Sequence, residues 1–320
     1  MSKKLPFCLL TVFLNLIIIH PSFAQTLIDF STFSLSVEQW QTKADTSWQI
    51  SFNSSEGKTE SELIYNDTAA DIISLKARYR PIPQFSVGAN AGFGGIDNAH
   101  YTDIDRTDGA DWSESQGDVD GKVVQYGADV YVHMFPVHRG DQLLLDFFAG
   151  YQHYEDQLRM FNGRQTRSEP PSANALGPFA GLNSNYDFEW NYLRLGAEIG
   201  YEFIARPKIA LNSLALRSMI GLIPYVAYEG TGVWNLRSDF AQNPSFRHYS
   251  NTGVGFDVSL ALSYSPCKGA EFIGGYRYLH LQVFDGTDTT YGSDGSIGRA
   301  KLDEVTLDRS GPFFALAVKF

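Results

Sequence analysis

Cysteine is nearly missing from this chain: two in 320 residues, Cys8 and Cys267. Cys8 falls inside an N-terminal apolar stretch that reads as a leader, which leaves Cys267 alone and excludes an intrachain disulfide framework. Charge is scarce as well, at 19% of residues, against roughly a quarter in an average soluble domain. The 25 Lys and Arg are outnumbered by 36 Asp and Glu, so a nucleic-acid footprint is excluded. After residue 24 no stretch has the roughly 18 unbroken apolar residues that a bilayer-spanning helix needs. There is no phosphate-binding Gly loop, no Cys/His metal spacing and no Ser in a nucleophile elbow. Neither a cofactor nor a metal is therefore expected.

What is abundant is aromatic and small. Aromatics make up 14% of the chain, and there are 29 Gly. The leader has Lys3 and Lys4 before an apolar core, Leu5 to Ile19, and closes on Ser22-Phe23-Ala24. Residues 1–24 thus read as a signal peptide cleaved near Ala24, with Gln25 first in the mature chain, whose net charge falls from −11 to −13.

Beyond the leader the pattern has period two. Leu193, Leu195, Ala197, Ile199, Tyr201 and Phe203 alternate with Arg194, Gly196, Glu198, Gly200 and Glu202. Val254 to Tyr264 and Val124 to Met134 repeat it. Charges share a face with Gly and Ser while the other face is apolar, the economy of a strand with lipid outside and water within. Short turns near 81–83, 136–140, 205–208 and 266–269 alternate with long polar connections near 96–121, 161–185, 236–252 and 285–302, with a shorter one near 53–58. The expectation is an all-β antiparallel transmembrane barrel over residues 25–320, with short periplasmic turns and long extracellular loops. The turns give ten strands; eight or twelve also fit the length. Phe314, Leu316, Val318 and Phe320 end the chain on one apolar face. The terminal Phe320 resembles the signal read by the outer-membrane barrel assembly machinery, which makes the Gram-negative outer membrane the expected location and its lipid a partner. Inner-face charges of both signs, among them Lys76, Arg78, Asp129, Asp146, Arg194, Glu198, Asp257 and Arg277, are expected to pair inside a narrow lumen.

Several stretches resemble the omptins, ten-stranded outer-membrane endopeptidases with a cleft at the outer rim. They are Gly57 to Arg80, then Pro83-Gln84-Phe85-Ser86-Val87-Gly88-Ala89, Asp111-Trp112-Ser113-Glu114-Ser115, Ala149-Gly150-Tyr151-Gln152, and Trp234 with Asp239. The resemblance implies two aspartates on one side of the cleft and an Asp-x-His pair on the other, a His taking the proton from water while the acids hold it. Asp111 matches one aspartate, but Gly109 stands at the other position, with Asp108 beside it. Ala241 and Asn243 stand where the Asp and His belong; His248 fits only on realignment, with Phe246 in place of the orienting acid. The catalytic candidates are accordingly Asp108, Asp111, Asp239 and His248, and Asp45 is a candidate pocket acid for a basic side chain. Tyr151 matches a lipid A contact, which brings lipopolysaccharide in as a candidate partner, but His153 and Glu155 replace the family's Glu and Arg. The acids from Asp103 to Asp120 do not follow a Ca²⁺-loop template and read as a solvated outer loop. The expected function is a surface structural or interaction barrel that has lost most of the peptidase set, its loop partner unidentified. An active omptin-like endopeptidase and a narrow porin-like channel are the alternatives.

Overall fold

The computed structural model describes residues 33–54, 57–134, 143–170, 175–205, 213–267 and 269–320. The leader and the turns near 136–140 and 205–208 lie outside the described residues. Thirteen strands follow one another: β1 (Phe33–Ser54), β2 (Gly57–Asn66), β3 (Ala69–Ile82), β4 (Phe85–Thr107), β5 (Ala110–His133), β6 (Leu143–Ser168), β7 (Gly177–Pro178), β8 (Ser184–Ala205), β9 (Ser213–Val233), β10 (Phe246–Ser250), β11 (Gly253–Cys267), β12 (Ala270–Tyr291) and β13 (Ile297–Lys319). β2 and β3 are one barrel strand broken at Asp67-Thr68, where Thr68 exchanges both backbone bonds with Ala44. β10 and β11 are likewise one strand, each paired with β9 and β12. β7 is a two-residue addition to β6. That leaves a ring of ten antiparallel strands, closed by β1 on β13 in a register running from Ser34↔Lys319 to Ser51↔Lys301.

The expected alternation holds in the half of the ring nearest the turns. On β8, Leu193, Leu195, Ile199, Tyr201 and Phe203 are exposed while Arg194 is buried. From Leu193 to Phe203 is ten steps, about 26 Å of height at ~3.4 Å per residue and ~40° tilt, which matches the apolar band of an outer-membrane barrel. Tyr126, Tyr151 and Tyr225 along one edge, and Phe33, Tyr79, Phe203 and Phe320 along the other, are exposed aromatics at the girdle positions.

In the outer half the economy inverts. There the outward positions are polar, and the inward ones are aromatic or aliphatic: Trp48, Leu63, Tyr65, Tyr154, Tyr186, Phe188, Trp190, Tyr228 and Phe246 are all buried in one cluster. These strands continue far beyond the band and take up much of what the sequence reads as long loops, while the connections between β6 and β8 and between β9 and β10 remain long. The segment near 96–121 is a strand pair, β4 and β5, turning on Asp108-Gly109, both with positive φ (50° and 81°). An Asp-Gly pair favours this two-residue hairpin turn, and once outside the membrane the strands lose the apolar face that made the others legible. β6 reaches Ser168 and β12 reaches Tyr291 for the same reason.

Candidate functional site

The lumen of the membrane half holds the expected charges, and they pair. Arg194 on β8 spans to Asp129 on β5 (2.8 Å) and Asp257 on β11 (2.7 Å), and Arg277 on β12 also meets Asp257 at 2.8 Å. Arg78 meets Glu198 at 3.0 Å, and Lys76 meets Glu38 at 2.6 Å. Further out, Arg309 and Asp156, both buried, meet at 3.0 Å, with the Tyr154 hydroxyl donating to Asp156. The Arg194, Arg277, Arg78 and Lys76 side chains of these pairs, with Arg217 and Glu271, line a cavity of about 460 Å³. Trp40, Tyr154, Leu279 and Leu307, each at most 1% exposed, fill the interior beyond it.

At the outer rim the sequence candidates do not converge. Asp108 sits exposed at the β4–β5 turn, where its carboxylate accepts the Lys58 backbone N–H at 3.1 Å. Asp111 faces outward: Arg106 binds it at 2.7 Å and Arg167 at 3.2 Å, and Arg106 also holds Glu62 at 2.6 Å. Asp239, in the segment between β9 and β10, accepts a bidentate pair from Arg237 at 2.7 and 2.9 Å, which lowers its pKa to about 2. Asp45 is exposed on the outward face of β1 and accepts the Asp67 N–H at 2.9 Å.

His248 alone of the catalytic candidates points inward, on β10 beside Phe246. It is 1% exposed, and both ring nitrogens are occupied. Nδ1 lies 2.7 Å from the Tyr186 hydroxyl, which in turn meets the Tyr228 hydroxyl at 2.6 Å, and Nε2 lies 3.1 Å from Asp288. The chain is satisfied when Tyr228 donates to Tyr186, Tyr186 to Nδ1, and Nε2–H to Asp288. Trp48 packs edge-on to the imidazole, ring centroids 4.9 Å apart. Asp288, from the neighbouring strand β12, therefore supplies the carboxylate that is absent at Phe246. The pairing of His248 with Asp288 across β10 and β12 is the reason: this contact has no local spacing.

Sequence reasoning also passed over Asp103 and Asp105. Both lie on the inward face of β4, next to Tyr101. Burial, then the charge of Asp105, raises Asp103 well above the ordinary carboxylate range. Asp105 is raised too, chiefly by burial, with the Ser61 and Ser113 hydroxyls and the Arg237 charge opposing. Their period-two spacing would have marked them had Asp108-Gly109 been read as a hairpin turn. Two further acids of the hairpin's outer half are outward: Asp118 meets His100 at 3.2 Å, and Asp120 pairs with Arg159. Among the described residues no cluster of three metal-ligating side chains forms.

On the outer wall Tyr151 is exposed and its hydroxyl donates to Asn191. His153 stacks on Tyr126 at 4.4 Å, with Glu155 and Glu189 within 3.8 and 3.7 Å. Where a phosphate-binding Arg would be needed, this wall presents acids.

A family model described as Protochlamydia outer membrane protein (Pom) matches residues 38–306. The chain belongs to the Pom family. No curated protein matches its sequence. Among solved structures, the outer membrane protease OmpT from Escherichia coli is similar with a TM-score of 0.77 at 13% identity, covering 92% of this chain and 99% of that one. At that identity the likeness is one of fold: this is an omptin-like outer-membrane barrel. The translocator domain of the autotransporter NalP from Neisseria meningitidis aligns with a TM-score of 0.39 at 9% identity, over 98% of this chain and 96% of that one. The Ralstonia pickettii toluene transporter TbuX gives 0.34 at 9% identity, over 90% of each chain.

Proposed function

We propose that this Pom-family barrel does not hydrolyse peptides and works as a surface interaction protein through its outer rim. The observation that carries this is the state of His248. A general base must reach the proton it abstracts. Here Nδ1 is taken by Tyr186, Nε2 by Asp288, and the ring lies under Trp48 and Phe246. The carboxylates that would hold a water are dispersed: Asp111 and Asp239 are bound to arginines, and Asp103 and Asp105 are held toward the protonated form. The test is cleavage of peptides carrying single and paired basic residues by the refolded barrel with lipopolysaccharide present. No cleavage above that of a His248→Ala/Asp103→Asn variant is expected. Turnover that these substitutions abolish would overturn the proposal and restore the peptidase.

A narrow channel is the second reading, favoured by the charge-lined cavity that opens toward the turn end. It requires the layer of Trp40, Tyr154, Leu279 and Leu307 to move aside. Steady single-channel conductance whose ion selectivity shifts with Glu198→Gln would favour it over the interaction reading.

A further inference from the structure

The outward face of the rim at β10, β12 and β13 carries a shallow groove of about 530 Å³ lined by Arg247, Tyr249, Thr287, Thr289, Tyr291 and Arg299. Sheet register explains its composition. Arg247, Thr289 and Arg299 lie in one row across three strands, with Tyr249 and Thr287 in the row on one side and Tyr291 opposite Ile297 on the other. Two strand spacings put the two arginine backbones roughly 10 Å apart, with a hydroxyl between them. Arg299 is exposed and makes no ion pair among the described residues, while Arg247 shares its charge with Glu229 at 2.7 Å. A two-arginine groove on a chain of net charge −11 is a local reversal of sign.

Height selects the occupant. The apolar band ends near Val254, which pairs with Gln282, and the groove spans Thr287 to Tyr291 on β12. Five to nine further residues of tilted strand raise it roughly 13–23 Å above the band, beyond the roughly 5–8 Å of headgroup layer. Phosphates of the headgroup layer do not reach it, so the ligand is one that stands above the bilayer. Arginine forks suit oxyanions, tyrosine faces suit the C–H faces of sugar rings, and the Thr hydroxyls can both donate and accept.

We propose that this groove binds a soluble anionic polysaccharide, its sulfate or carboxylate groups on Arg247 and Arg299 and its sugar rings on Tyr249 and Tyr291. The assignment rests on the interaction reading above and gives it a partner class.

The test uses the refolded mature barrel in detergent at fixed salt, with dextran sulfate, unsulfated dextran and polyglutamate as probes. Dextran sulfate is expected to bind, and the other two to bind at least tenfold more weakly. Arg299→Ala should weaken dextran sulfate at least tenfold and Tyr291→Ala severalfold. Glu229→Gln should tighten it by freeing Arg247, and Arg164→Ala, an exposed cation elsewhere on the rim, should change it less than twofold. Absence of dextran sulfate binding, equal losses in Arg164→Ala and Arg299→Ala, or polyglutamate binding as tightly would each overturn the assignment. Peptide cleavage assayed on the same preparation separates the two claims. A groove that fails without cleavage removes only this ligand, whereas cleavage removes the interaction reading itself.

Discussion

Replacing Arg309 by Ala should be among the most damaging single changes in the lumen. Its guanidinium is fully buried, holds both oxygens of Asp156 at 3.0 and 3.2 Å, and donates to Thr42 Oγ1 at 2.7 Å. Truncation leaves Asp156, 1% exposed, with only the Tyr154 hydroxyl at 3.0 Å. Stranding one charge of a buried pair costs about 3–5 kcal/mol. At a slope of about 2 kcal/mol per molar urea, the unfolding midpoint should fall by roughly 2 M. Removing both charges is different. Arg309→Met with Asp156→Leu takes away the stranded carboxylate together with its partner, and also the Arg309 Nε that has no acceptor here, so the double variant should lie within about 1 kcal/mol of the parent or above it. Urea titration in lipid vesicles, followed by tryptophan fluorescence, reads the single and the double variant against the parent. A cost below about 1 kcal/mol for Arg309→Ala would refute a dry, filled interior at this level, because a solvated carboxylate tolerates the loss of its partner.

Three further outcomes follow from the same geometry. Asp103→Asn should stabilise the barrel at neutral pH and do nothing at a pH below the ordinary carboxylate value of 3.8, because burial beside Asp105 makes the carboxylate harder to ionise in the folded state than in the unfolded chain. Parent stability should accordingly fall as pH rises through that window, which urea midpoints at several pH values would show. Gly311→Ala should impair closure of the ring: an added Cβ would overlap the Gln41 carbonyl oxygen on β1, and loss of the heat-modifiable folded band on gels is the readout. Ile199→Arg, in the middle of the lipid-facing run of β8, should cost about 2–4 kcal/mol, against a few tenths for Asn185→Arg on the polar outer part of the same strand.

Most of the barrel could be read in the sequence because the bilayer imposes a strong period-two signal on every strand it touches. Leu193 to Phe203 announced both the strand and its facing, and the ten-strand count agrees with the ring. Outside the bilayer the signal changes sense. The outward residues of β4, β5 and β6 become polar while Tyr101, Tyr154 and Met160 turn inward, so a rule tuned to apolar-outward strands returned loops. The site suffered from that misreading. With Asp103 to Asp120 taken as a loop, the inward Asp103 and Asp105 were indistinguishable from the outward Asp111 and Asp118. His248 was found, but its partners Asp288 and Tyr186 lie 40 and 62 positions away in the chain, and only the sheet register brings them together.

The sealed position of His248 is tested most directly by its accessibility to diethyl pyrocarbonate. With modification mapped by mass spectrometry, His100, whose side chain is 65% exposed, serves as the internal standard. His248, beneath Trp48 and held by Tyr186 and Asp288, should stay unmodified in the folded barrel and react only after unfolding. Modification of His248 at a rate comparable with His100 in the folded protein would mean that water reaches the imidazole, and the case against peptide hydrolysis would fall with it.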